Sequence, residues 1–232
     1  MSRKLQRTFS GFSPETLKFL ENLAANNSKP WFEKHRHEYE QFVLDPLRAL
    51  VTDLSGFMMT IDPQLETRPA VNKTISRIYR DTRFSKDKSL FRNNMWIVFK
   101  RPGKDWKGAP GFFFEIFPDW YRYGMGFYSA SPDTMRNYRR LIDQKPREFR
   151  KATAFLSRQK TFELAGELYK KVFDPVKPEA IQTWYQRRNL YLVSNHKINR
   201  RLFGTGIADE LAKGFGTLAP LYHFLWTACA MR

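Results

Sequence analysis

The sequence predicts an α+β fold, with a central, mainly antiparallel sheet packed by N-terminal and C-terminal helices. Apolar residues recur at helical spacing in residues 13–60 and again in residues 131–232, whereas residues 75–129 hold short apolar or alternating runs. A chain of 232 residues buries enough apolar surface to fold without disulfides or metals. We therefore expect one domain over residues 1–232.

Helix-start signals organise the N-terminal part. Ser13 as N-cap and Pro14 at the first helical position begin one helix, and Lys29-Pro30 begins a second. Asp45-Pro46 marks a break or restart before a third apolar stripe.

The sheet part follows, because the spacing of apolar residues changes near residue 75. We predict strands over residues 75–79, 95–100, 111–117 and 121–128, with a polar loop over residues 81–94. Short connections between the last three strands favour antiparallel pairing.

The C-terminal part returns to helical spacing. Ser131-Pro132 begins a helix, residues 161–178 are expected to be irregular, and residues 189–194 add a strand. The apolar stripe over residues 207–225 predicts a last helix, in which Pro220 indicates a kink or two abutting helices.

Positive charge is the main compositional feature. The formal net charge is +17, and it is concentrated as +9 over residues 68–107, +7 over residues 136–160 and +5 over residues 185–201. Such clusters attract anions if they meet in space, so a small phosphorylated or carboxylated ligand and nucleic acid are both candidate partners. A solvated basic surface without a specific partner is the alternative.

Several functional classes are disfavoured. Cys229 is the only cysteine, so neither an internal disulfide nor a cysteine-based zinc site forms, and His35 and His37 point to different faces of a helix. No metal and no cofactor is expected. No run of 18 apolar residues and no secretory signal is present, which predicts a cytoplasmic protein without a membrane partner.

Glu115 interrupts the aromatic strand of residues 112–117. A carboxylate on an apolar face has a raised pKa unless it is paired, and a raised pKa suits a general acid or base. The alternative is that Glu115 faces solvent or pairs with an arginine.

The most informative stretch is residues 77–91. Arg77 and Tyr79 share one strand face by period two, and Arg80 points the other way. Together with Arg83 and Lys88 these arginines offer donors suited to phosphate or carboxylate.

Two interpretations of this stretch stay open, because Asp81 and Asp87 are natural internal partners of the arginines. The aspartates either hold the arginines in place while spare donors face a ligand, or they neutralise them and brace a long loop.

The stretch also resembles domain-of-unknown-function family 2461, whose signature is R-x-x-R-D-x-R-F followed by D-K and an aromatic residue. Seven positions fit this signature: Arg77, Arg80, Asp81, Arg83, Phe84, Asp87 and Lys88. Phe91 stands where the family pattern has Tyr, so a proton donor is not implied there. The resemblance extends over residues 12–32 and 218–221, and it implies no particular activity.

Three hypotheses follow. The leading one is binding of a small anionic ligand through Arg77, Tyr79, Arg80, Arg83 and Lys88, extended to catalysis by Asp81 or Glu115. The second is a nucleic-acid-binding module, and the third is a structural or adaptor role with a protein partner.

Overall fold

A computed structural model describes residues 7–83, 86–103 and 108–231 of the chain. It confirms the α+β prediction, since a five-stranded antiparallel sheet has helices before and after it. By its internal contacts the chain divides into two compact units. Unit 1 takes its residues from Met1–Phe99, Phe113–Tyr123 and Asn195–Lys213, and unit 2 from Lys100–Phe112, Gly124–Ser194 and Gly214–Arg232. The expectation of one domain over residues 1–232 stays a prediction.

The N-terminal helices begin where the sequence predicts. They are α1 (Pro14–Ala25), α2 (Lys29–Lys34), the short α3 (Arg36–Glu38), a π-helical stretch (Tyr39–Leu44) and α4 (Asp45–Ile61).

The predicted restart at Asp45-Pro46 is the point where the π-helical stretch gives way to α4. Pro46 has no amide hydrogen to donate to the Phe42 carbonyl four residues earlier. The buried Thr16 hydroxyl of α1 donates to that carbonyl instead, at 2.6 Å. The hydrogen bond from Thr16 therefore links α1 to the residues that directly precede α4.

The strands are β1 (Met95–Phe99), β2 (Pro110–Ile116), β3 (Trp120–Phe127), β4 (Glu163–Ala165) and β5 (Tyr191–Lys197). Their order across the sheet is β1-β2-β3-β5-β4. Alternate residues of β1 and β2 are buried, and the face of β3 predicted from its alternation, namely Tyr121, Tyr123, Met125 and Phe127, is buried too.

Residues 75–79 do not form the predicted strand. They make only isolated bridges, Ile75 to Val71 and to Ile97, and Tyr79 to Phe91. The Ser76 amide donates to the Trp96 carbonyl at 2.9 Å, but the Trp96 amide donates to the Ser76 hydroxyl rather than to a backbone carbonyl. This side-chain acceptor interrupts the ladder.

The C-terminal half has two elements that were not predicted. Residues 161–178 were expected to be irregular but contain β4, which pairs with β5 through Leu164 and Leu192, and α7 (Glu179–Tyr185) follows. A three-residue strand is too short to show alternation. Helices α5 (Pro132–Gln144) and α6 (Pro146–Thr153) start at their prolines.

The last helix, α8 (Gly206–Ala230), runs on through Pro220 rather than dividing into two helices. Among the described residues, no helix combines the length and the apolar character needed to cross a membrane.

Candidate functional site

The stretch of residues 77–91 folds back on itself in unit 1. The Arg80 amide donates to the Leu90 carbonyl and the Arg92 amide to the Ile78 carbonyl, each at 2.9 Å. Ile78 is buried, whereas Arg77 and Tyr79 on either side of it are exposed. Period-two geometry therefore separates the two side chains from the core.

Two arginines of this stretch pair with its two aspartates. Arg83 donates two hydrogen bonds to Asp81, at 2.9 and 2.8 Å, and Arg80 pairs with Asp87 at 2.5 Å. The Lys88 ammonium donates to a backbone carbonyl of the same stretch at 3.0 Å. This pairing, which we call the brace, fits both interpretations of the stretch, because the aspartates hold the arginines in each of them.

Both aspartates are held in their charged form. The hydrogen bonds from Arg83 lower the pKa of Asp81 well below its usual range. The pKa of Asp87 is also lowered, chiefly by the Ser89 amide and then by Arg80. A proton-transfer role for Asp81 would need the opposite shift at neutral pH.

Arg77 differs from its neighbours. Within the described part of the chain its guanidinium makes no hydrogen bond and no ion pair, although its charge contributes to lowering the pKa of Asp81. Among the predicted ligand-binding arginines, it is thus the one whose guanidinium has no hydrogen-bond or ion-pair partner in the described residues. Phe84, part of the signature, lies outside the described residues.

An aromatic cluster anchors the stretch. The buried Phe91 ring stacks on Phe32 at 4.5 Å and contacts Tyr79 at 4.7 Å between ring centroids. Asn27 donates to the Phe91 carbonyl and accepts from its amide, both at 2.9 Å. Tyr79 and Phe91 are therefore part of the packing that fixes the stretch to the helices.

Glu115 lies apart from the predicted arginines. Its carboxylate accepts from Arg122 at 2.6 Å and from Asn94 at 2.5 Å, and the side chain is 13% exposed. The Arg122 guanidinium also lies 5.5 Å from the Trp120 ring centroid. Glu115 thus takes the arginine-paired arrangement that was the alternative to a catalytic role.

A second group of functional side chains in unit 1 centres on His196 of β5. Its imidazole lies nearly parallel to two rings of the neighbouring strand β3, Tyr121 at 4.9 Å and Tyr123 at 5.4 Å. From α8, Glu210 places a carboxylate oxygen 3.6 Å from Nε2 of His196, and its other oxygen accepts from Arg201 at 3.1 Å. The group combines an imidazole, a nearly buried carboxylate and a guanidinium.

The electrostatics of His196 favour its neutral form. Burial lowers its pKa from the ordinary value, and the Arg201 charge lowers it further, while Glu210 opposes both. A neutral imidazole near pH 7 is able to accept a proton. Burial also raises the pKa of the Tyr121 hydroxyl, which accepts a hydrogen bond from Asn199 at 3.0 Å.

A tight turn completes this group. Consecutive amides from Leu202 to Gly204 each donate to the carbonyl three residues earlier. Gly11, with φ +119°, allows the N-terminal segment to approach the turn, because a Cβ at Gly11 would lie 2.5 Å from the Phe203 carbonyl carbon. The Phe12 amide then donates to Leu202 at 3.0 Å.

The turn, β5 and α8 border an open cavity of about 280 Å³, which we call the His196 pocket. It is lined by His196, Asn199, Arg200, Arg201 and Glu210. Arg201 is neutralised by Glu210, but the exposed Arg200 guanidinium makes no hydrogen bond or ion pair to any residue in the described ranges. The pocket therefore offers an uncompensated positive charge beside an imidazole.

The sequence patterns did not single out His196, and the pocket was not predicted. The available signals were the basic stretch of residues 185–201 and the shared face of Tyr121 and Tyr123. The sequence did not predict that β3 pairs with β5, and this pairing brings the two tyrosines next to the histidine.

The described residues contain no group of three or more His, Cys, Asp or Glu side chains suited to a metal ion. A search of curated proteins finds no match to the chain. The model of the family described as "Conserved hypothetical protein (DUF2461)" matches residues 15–224. This match covers most of the sequence, and the chain therefore belongs to the DUF2461 family.

Proposed function

We propose that the protein binds a small anionic ligand, bearing phosphate or carboxylate, in the His196 pocket. The observation that carries the proposal is the Arg200 guanidinium, which has no counterion among the described residues and lines a cavity with His196. A guanidinium presents paired donors that match the oxygens of both anions. A chain with a single cysteine is typical of a reducing compartment, so we propose that this ligand is cytoplasmic.

Proton transfer is the chemistry that this pocket supports. The lowered pKa of His196 favours a neutral imidazole, and a bound anion would favour the protonated form. Glu210, 3.6 Å from Nε2, would then stabilise the imidazolium. We therefore assign His196 as the group that takes a proton on ligand binding, with Glu210 as its orienting partner.

The test is nuclear magnetic resonance of the imidazole protons during titration with inorganic phosphate and, separately, acetate. We expect the anion that binds to raise the pKa of His196. His37, whose side chain is 73% exposed, serves as an internal control in the same spectra and is expected not to respond.

Two matched variants localise the ligand. Arg200→Gln is expected to weaken binding about tenfold, because a hydrogen bond to a charged group is lost. Arg48→Gln, which removes an arginine paired with Asp45, is expected to leave binding unchanged. Equal affinity in the parent and Arg200→Gln proteins would contradict the proposal.

Arg77→Gln decides between this pocket and the arginine-rich stretch predicted from the sequence. If Arg77→Gln abolishes the response to anions while Arg200→Gln retains it, the ligand is held by residues 77–91 instead. Arg77 is the informative residue for this comparison, because Arg80 and Arg83 pair with aspartates and their removal would also break an ion pair.

A further inference from the structure

Unit 2 contains a larger cavity, of about 650 Å³, that combines apolar and basic side chains. Its apolar lining includes Leu168, Val172 and Phe173, which are 53%, 58% and 51% exposed. Lys170 and Lys171 line the same cavity, and neither ammonium group makes a hydrogen bond or an ion pair with residues that the structure describes. Half-exposed aromatic and aliphatic surface beside unpaired cations indicates an amphipathic ligand.

The cations around this cavity belong to a longer uncompensated series. Between residues 140 and 171, eight exposed cations make no side-chain hydrogen bond or ion pair within the described ranges: Arg140, Arg147, Arg150, Lys151, Arg158, Lys160, Lys170 and Lys171. We call these the unpaired cations. On α6, Arg147, Arg150 and Lys151 lie three and four residues apart and so share one helix face.

Three acidic residues of the same region pair with cations other than these eight. Asp143 accepts from Lys177 at 2.6 Å and from the Tyr185 hydroxyl, Glu148 pairs with Lys145 at 3.2 Å, and Glu167 lies 3.5 Å from Arg188. The unpaired cations therefore attract a partner with repeated negative charge.

The aromatic rings of the cavity pack against a buried arginine. The Phe173 ring lies 4.1 Å from the guanidinium of the buried Arg139, which also lies 5.2 Å from the Tyr169 ring. Arg139 is fixed by the carbonyls of Tyr185 and Arg187, each at 2.8 Å, and of Met135 at 3.0 Å. A ring supported on one face and half exposed is a preorganised stacking platform.

We propose that unit 2 binds single-stranded nucleic acid, with bases packing against Phe173 and Tyr169 and phosphates lying along the unpaired cations. Stacking favours a single strand over a duplex, because the base faces of a duplex are already covered. The repeated, uncompensated cations favour a regular polyanion over a peptide carrying a few carboxylates. The residues involved are different from those of the His196 pocket, so this proposal stands without the proposed function.

The experiment is fluorescence anisotropy with a fluorescein-labelled 15-nucleotide oligouridine and the full chain, at salt concentrations from 50 to 200 mM. Four phosphate contacts would give a slope of about −2.8 in a plot of log K against log salt, which is about a 50-fold loss of affinity over this range. A duplex of equal length is expected to bind more weakly. No binding of the single strand at 50 mM salt would overturn the proposal.

Charge variants on α5 provide a matched comparison. Arg140→Gln removes an unpaired cation, whereas Arg136→Gln removes one that pairs with Asp133 at 2.8 Å, at the same change in net charge. We expect Arg140→Gln to make the salt slope shallower by about 0.7 and Arg136→Gln to leave it unchanged. Equal effects of the two variants would show that only net charge matters, and the proposed surface would be wrong.

Phe173→Leu tests the stacking platform while keeping an apolar side chain. We expect affinity for oligouridine to fall at least about fivefold with the salt slope unchanged, since base stacking is lost but no phosphate contact is. A thermal melt of the variant establishes that it is folded. Unchanged affinity in a folded variant, or tighter binding of an acidic peptide such as a Glu-Phe repeat than of oligouridine, would overturn the proposal.

Discussion

Two basic regions of this protein differ in how their basic side chains are paired with acidic ones. In residues 77–91 of unit 1, Arg80 and Arg83 pair with aspartates of the same stretch. In residues 140–171 of unit 2, Asp143, Glu148 and Glu167 pair with Lys177, Lys145 and Arg188, and eight exposed cations are left without a counterion among the described residues. The first region is the more conspicuous in sequence, yet the second has more charge to offer a partner.

The difference shows that the position of the acids matters more than the density of the bases. Asp81 is two residues from Arg83, and the fold-back of the stretch brings Asp87 to Arg80. In unit 2, by contrast, Asp143 is occupied by Lys177, 34 residues away. Both aspartates of residues 77–91 pair with arginines of the same stretch, whereas Asp143 and Glu167 pair with Lys177 and Arg188, which lie beyond residues 140–171.

The largest effect in this comparison is expected at Arg139, the buried cation that directly precedes the second region. Arg139→Met should lower the free energy of unfolding by about 3 kcal/mol, because three backbone carbonyls lose their donor inside the protein. Urea unfolding followed by tryptophan fluorescence measures it. The exposed neighbour provides the control, since Arg140→Met should change the unfolding free energy by less than about 0.5 kcal/mol. Similar losses in both variants would contradict the structural role given to Arg139.

In the first region, the strongest single attachment is expected at Asn27. Asn27→Ala should cost about 2 kcal/mol, because the amide and the carbonyl of the buried Phe91 both lose their partner. The neighbouring Asn26→Ala is the control, since Asn26 is exposed and donates only within its own helix end, to Asn22. If the two variants have the same urea midpoint, the stretch is not anchored as described.

Low pH should reduce the stability of residues 77–91, because their aspartates become protonated. The unpaired cations have no such partner to lose. The pKa values of Asp81 and Asp87 are lowered in the folded protein, so their stabilisation is present above the unfolded value of about 3.9 and is lost as the pH falls below it. Hydrogen exchange at the amides of Arg80 and Arg92, corrected for intrinsic rates, should show reduced protection at pH 3 relative to pH 5. Asp81→Asn should already show part of this loss at pH 5. Constant protection across this range would argue against the brace.

The smallest effect is expected for a single ion pair of the brace. Removing the Arg80–Asp87 pair in a double-mutant cycle should change the melting temperature by about 2 °C or less, because both side chains are partly exposed. A much larger coupling would mean that the pair does more than neutralise charge. Differential scanning calorimetry of the parent, Arg80→Ala, Asp87→Ala and double variants measures it.

Much of the fold was predictable because its signals are local. The Ser-Pro and Lys-Pro starts of the helices, the alternation of β3 and the aromatic strand β2 each depend on neighbouring residues. The predicted strand at residues 75–79 failed because a Ser76 hydroxyl replaces a backbone acceptor. Strand β4 was missed because its pairing with β5 joins residues nearly 30 positions apart.

By itself, the sequence determined the fold class, the membership of the DUF2461 family and the clustering of positive charge, because composition, short-range spacing and the family pattern are written along the chain. Only the tertiary structure decided which charged side chains form ion pairs and which have no counterion among the described residues. It paired Arg83 with Asp81, brought His196 between Glu210 and two tyrosines, and left Arg200 uncompensated within the described residues. The physical reason is that a counterion is chosen by distance in space, and the strand order and helix ends that set those distances join residues far apart in the sequence.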